Sequence, residues 1–227
     1  MSEPTVPIRV WDLPTRLFHW ALAGCVVGSI VTAKIGGNAM VWHFRLGYVV
    51  LGLLAFRLLW GLVGGRWSRF SSFVFAPATL VRYLRGQREP GDTLDVGHSP
   101  VGALSVFALL GLLSFQVGTG LFAWDENFEM GGPLNRFIGS GLATTRTGWH
   151  EEAGESVLLG LVLLHVAAIG FYRLVKRRDL VRPMILGDKA LPAQTPASAD
   201  GGMQRVLALA LAAACAAAVA WVVSLGG

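Results

Sequence analysis

Between Trp149 and Arg173 the chain reads WHEEAGESVLLGLVLLHVAAIGFYR. The run is long and apolar enough to cross a bilayer, whose hydrocarbon core is about 30 Å thick and needs roughly 20 residues of helix. Yet it carries His150 near its start and His165 well inside. Ionisable groups at that depth are costly and mark function. The two histidines lie fifteen positions apart. At about 100° per residue that is four turns and roughly 60°, so both imidazoles leave the same side of one helix. Along the axis they are roughly 22 Å apart, one near each side of the membrane.

Four more apolar runs fall at about 15–35, 43–63, 100–123 and 205–225. They are continuous rather than alternating, which excludes a β-barrel. Hydrophobic residues make up 53% of the chain and the mean hydropathy is +0.55, too apolar for a soluble domain. The expected fold is an all-α membrane protein. A four-helix transmembrane bundle occupies 1–182, a flexible Pro-, Ala- and Ser-rich linker 183–204, and an additional C-terminal helix 205–227. The polar, proline-bearing stretch 1–14 is placed outside the core, with Trp11 and Trp20 at headgroup level. Within the 64–99 loop, Pro77 to Arg85 reads as a short interfacial helix stopped by Gly86.

Net charge is +5, but the basic residues sit in particular loops, which speaks for membrane orientation rather than nucleic acid. The 64–99 loop (Arg66, Arg69, Arg82, Arg85, Arg88) and the 173–205 segment are basic. The 124–148 loop is Gly-rich and acidic, with Asp125, Glu126 and Glu129. The positive-inside rule then puts the N-terminus in the cytoplasm and the C-terminus, after the fifth span, in the periplasm. The N-terminus does not read as a cleavable signal, because Glu3 and Asp12 interrupt its basic region. Cys25 and Cys215 lie in apolar runs without a CxxC spacing and read as packing residues.

That topology gives each histidine a depth. His19 and His165 form an inner layer, His43 and His150 an outer one. Two opposed imidazoles per layer suit one planar haem iron with both axial positions filled. Haem propionates need cations: Arg16 and Arg57 are placed for the inner haem and Arg45 for the outer. Gly47 and Gly154 each follow an outer histidine by four residues, and the missing side chain leaves room for a macrocycle. A lone histidine in a membrane also serves as a proton relay, so a non-redox proton or solute pathway is the competing class. His98, just before Pro100, has no partner at its level and reads as a loop residue.

VWDLPTRLFHW at 10–20, the second span from His43, GHSPVGALSVFALL at 97–110, and WHE with LLHVAA at 149–169 together resemble the bacterial cytochrome b561 family, which includes the b-type cytochrome subunits of nickel–iron hydrogenases. The resemblance covers about residues 8–182. It implies two non-covalent, bis-histidine haems b on His19, His165, His43 and His150. It implies an inner-membrane carrier exchanging electrons between quinone and a redox partner, such as a periplasmic cytochrome c or a hydrogenase. A superoxide:quinone oxidoreductase is a related alternative, weakened by the acidic outer loop. The family pattern spaces the ligands of the fourth helix fourteen positions apart where this chain has fifteen. One extra residue turns the outer ligand by about 100°, which predicts a local bulge or an adjusted ring. The fifth span is outside the four-helix pattern, with packing on the bundle, a homo-oligomer contact or a partner contact as its candidate roles.

Overall fold

The computed structural model describes residues 4–87, 89, 91–125 and 130–226; Glu3, Arg88, Glu126 and Glu129 lie outside the described residues. The chain is helical throughout its apolar runs: α1 (Leu13–Ile35), α2 (Met40–Val63), α3 (Pro77–Leu84), α4 (Pro100–Gly120), α5 (Ser140–Gly148), a π-helical turn (Trp149–Gly154), α6 (Glu155–Leu174), α7 (Val181–Leu186) and α8 (Gly202–Ser224). Two antiparallel pairs complete it, β1 (Thr5–Arg9) with β4 (Asp188–Pro192) and β2 (Trp124–Asp125) with β3 (Met130–Gly131). Among the described residues five helical stretches are long and apolar enough to cross a membrane, including Ser140–Leu174 as one piece. This is an all-α membrane protein.

The expected short helix forms as α3, with Pro77 in its first turn, where a missing N–H costs nothing, and Gly86 beyond its end at φ +72°. Two expectations fail. Part of the 124–148 loop is helical, because α5 runs directly into the π-turn and lengthens the fourth span. The 183–204 stretch is not a flexible linker: α7 and β4 lie in it, and β4 pairs with β1 from Thr5↔Pro192 to Arg9↔Asp188. Its composition suggests looseness, but backbone pairing with the N-terminus satisfies its polar groups.

Two compact units are distinguished by their contacts. The first comprises 1–17, 57–108 and 164–209; the second comprises 18–56, 109–163 and 210–227. In the first, Val10, Trp11, Trp67 and Val96 form a buried cluster with Met184 and Leu191 against it. Trp11 is therefore a core residue, not a headgroup anchor, and the stretch 1–14 is not wholly outside. Ser198 fastens the 183–204 strap: its N–H donates to the Arg9 carbonyl (2.8 Å) and its hydroxyl to that of Val10 (2.7 Å). Asp200 pairs with Arg9 (3.0 Å) and accepts the Leu13 N–H (3.0 Å). The Lys189 ammonium donates to the Val96 carbonyl (2.6 Å), and burial pushes it down to about 8.

In the second unit, Val26 of α1, Val50 and Leu54 of α2, Leu113 of α4 and Leu158 of α6 bury one another, so four helices share one core. α8 joins them: a Cβ on Gly52 would stand 3.6 Å from Val219, an ordinary packing contact. Packing on the bundle is thus a role the fifth span fills.

Candidate functional site

Above the four-helix core of the second unit lies a cavity of about 420 Å³. Its wall includes Val26, Ile30, Val50, Leu113, Val117 and Leu158, with His43, Gln116, Lys34, Glu155 and Glu151 as polar groups. An apolar wall with few convergent polar groups, at this volume, is the usual form of a ligand or cofactor pocket.

His43 and His150 both line it, with ring centroids 5.8 Å apart and planes at 84°. Each ring is fixed by a backbone carbonyl. His43 Nδ1 is 2.9 Å from the Ser29 carbonyl, and His150 Nδ1 is 2.9 Å from that of Gln116. A carbonyl only accepts, so Nδ1 is the donor in both rings and Nε2 of each neutral imidazole keeps its lone pair. That is the arrangement of metal-ligating histidines, whose second nitrogen donates outward.

The glycines divide. A Cβ on Gly47 would meet nothing within 4 Å, so the open space expected beside it is there. Gly154 does not do what was expected of it: a Cβ there would clash with the Gln116 amide oxygen, so its missing side chain admits Gln116 rather than a macrocycle. Gly120 is the glycine that makes room for an imidazole, since its Cβ would stand 2.9 Å from His150 Cε1.

The expected cations are also redistributed. Arg45 is exposed, sits over the Trp42 ring at 5.1 Å, and is not among the cavity residues. Its place is taken by Lys34, in the last turn of α1, paired with Glu155 at 2.7 Å. In the first unit, Arg57 is 3% exposed and lies over the Phe70 ring at 4.8 Å. Arg16 donates to the Ile185 carbonyl at 2.6 Å. His165 is half-buried on α6 in that unit, and His98 is a loop residue as expected, half-buried in the bend before α4 with its ring tilted against Trp11 (4.7 Å) and Phe73 (4.4 Å). His19, half-buried on α1, belongs to the second unit and meets Trp20 edge-on at 5.0 Å.

Sequence reasoning missed Lys34, Gln116 and Gly120. Gln116 left a signal: it is the single carboxamide in the third apolar run, where a polar side chain needs a reason.

Five membrane-length helices among the described residues, with an imidazole pair facing an apolar cavity, define a helical membrane protein with a histidine-lined pocket. The particular family follows from comparison: the model of the prokaryotic cytochrome b561 family matches residues 10–187, and the chain belongs to that family. It is similar to the probable Ni/Fe-hydrogenase B-type cytochrome subunit of Cupriavidus necator, 27% identical over 209 residues that cover 78% of this chain and 85% of the relative. The like-named protein of Azotobacter chroococcum mcd 1 is 28% identical over 214 residues (79% and 87%). The probable Ni/Fe-hydrogenase 1 B-type cytochrome subunit of Escherichia coli K12 is 22% identical over 215 residues (79% and 87%). No solved structure matches the chain. The protein is a membrane b-type cytochrome of electron transfer.

The His43–His150 cavity fits haem b. Both neutral imidazoles keep an Nε2 lone pair beside the apolar wall, both Nδ1–H groups are anchored outward, and the space at Gly47 is open, so these residues would supply the nitrogen ligands and room such a group needs.

Proposed function

We propose that the chain carries two haems b, each held by two histidines, and passes electrons between the quinone pool and a redox partner at the membrane. His43 and His150 hold the outer haem. The observation that carries this is the pair of imidazoles, both anchored through Nδ1, facing one apolar cavity at 5.8 Å between centroids. Bound there, haem b supplies a one-electron Fe(III)/Fe(II) couple. Ser29 and Gln116 orient the ligands, the aliphatic wall excludes water, and Lys34 offers a cation to a propionate. The inner haem, on His19 and His165, rests on the depth of those residues in their apolar runs.

The relatives named as hydrogenase cytochrome subunits support a hydrogenase as the partner; a periplasmic cytochrome c is the other candidate. The bacterial inner membrane is the proposed location. The carboxylates Asp125, Glu151 and Glu155 around the cavity disfavour an anionic substrate such as superoxide.

Purified protein should show reduced-minus-oxidised b-type bands and two haems per chain. His150→Ala should leave one haem per chain with its spectrum intact. A colourless folded preparation would favour the non-redox pathway, and two haems in His150→Ala would refute the pairing.

A further inference from the structure

The fourth span contains a π-helical turn at the residue that the proposed reading makes an iron ligand. A π-turn widens the ladder by one residue and is found mostly at functional sites. Here it accommodates the one-position excess in the fifteen-position spacing of His150 and His165, and so brings His150 round to the cavity. Such a turn is less firmly bonded than α-helix, and a ligand on it needs outside support.

We infer that Gln116 of α4 is the positioning residue that holds the π-turn and, through it, the imidazole of His150. Its contacts are made from both ends. The Gln116 side-chain N–H donates to the His150 backbone carbonyl at 2.6 Å, while the Gln116 backbone carbonyl accepts the His150 Nδ1–H at 2.9 Å. One residue thus grips the main chain and the ring of the same histidine. The surroundings are cut to fit. Gly154 lacks the Cβ that would collide with the Gln116 amide, and Gly120 lacks the one that would press on the ring. Thr119 is the nearest substitute, but its hydroxyl is 3.4 Å from Nδ1 and already bonds the Phe115 and Gln116 carbonyls at 3.0 and 2.9 Å.

An outward hydrogen bond from a ligating imidazole raises its basicity and fixes its plane, and loss of such support costs 10–100-fold in metal affinity. The inference rests on His150 being a haem ligand, so the experiment separates the two. Gln116→Leu keeps the volume and the backbone carbonyl that accepts the ring Nδ1–H, and removes only the side-chain donor to the His150 carbonyl. In the holoprotein the loosened turn should reorient the ring, altering the low-spin electron paramagnetic resonance signal and shifting the midpoint potential of one haem only, and speed its loss to apomyoglobin about 10–100-fold. Gly154→Ala, which displaces the amide, should reproduce these changes if Gln116→Leu does not assemble. The double variant Gln116→Ala/Gly154→Ala should be no worse than Gln116→Ala alone. Unchanged resonance and potentials in Gln116→Leu, in a protein where His150→Ala has lost one haem, would overturn the inference and leave the ligand assignment standing. Two haems in His150→Ala would overturn both.

Discussion

Asp12 accepts three hydrogen bonds while wholly shielded from solvent: from the Thr15 N–H (2.8 Å), the Trp60 indole (3.0 Å) and the Ser68 hydroxyl (2.5 Å). The first of these caps α1, whose opening N–H groups otherwise lack partners. The other two hold α2 and the turn after it against the start of α1. Replacing Asp12 by Ala leaves the buried Trp60 indole N–H unmet and the Ser68 hydroxyl with only its Thr15 partner (2.8 Å), and a buried donor left without an acceptor costs about 1–3 kcal/mol. Asp12→Ala should therefore destabilise the protein by about 3 kcal/mol, read as a lowered midpoint of thermal unfolding in detergent. Asp12→Asn, which keeps one acceptor, should lose less. In the sequence, Asp12 reads only as a charge that spoils a signal peptide. Its role was hidden because its partners, Trp60 and Ser68, are about fifty residues away and no local pattern joins them.

Among the elements, those with a periodic or punctuated signal were legible. Four of the five long helices among the described residues lie within a few residues of their apolar runs, the fourth span starting nine residues early at Ser140, and Pro77 and Gly86 bracket α3. What escaped was set by pairing at a distance. β4 has an unremarkable sequence and becomes a strand because β1 lies beside it. The π-turn is intermediate, since counting residues between His150 and His165 pointed to a bulge but not to its position. Its purpose as a register device is testable by deletion. Removing the exposed Glu152 gives a spacing of fourteen positions between the histidines and lets the span close as continuous α-helix. The deleted protein should keep both haems, and Gln116→Leu should then change the outer haem far less than it does in the full-length chain. Loss of that haem on deletion, measured by pyridine haemochrome, would mean that the turn itself is required.

Across the whole molecule, charge is sorted as the sequence suggested, and the structure gives the sorted charges work. In the first unit, Arg82 of the 64–99 loop pairs with Asp92 (3.0 Å), and Arg178 of the second basic segment pairs with Asp95 of that loop (2.7 Å). In the second unit, Asp125, Glu151 and Glu155 ring the cavity with Lys34 as their counter-charge. That His43 and His150 share one level was legible from spacing and depth, and both line this cavity. Its cation was not, because Arg45 and Lys34 flank the same turn and only packing decides which faces inward. If the positive-inside rule governs the chain, the 64–99 loop is cytoplasmic and the 124–148 loop periplasmic, which puts the carboxylate-ringed cavity where a positively charged periplasmic redox protein would meet it. With Cys25 and Cys215 replaced, a cysteine at the exposed Gln87 should react with an impermeant maleimide only in inverted vesicles, and one at the exposed Ser140 only in spheroplasts. The opposite pattern would move the cavity to the cytoplasmic side and remove a periplasmic partner from the proposal.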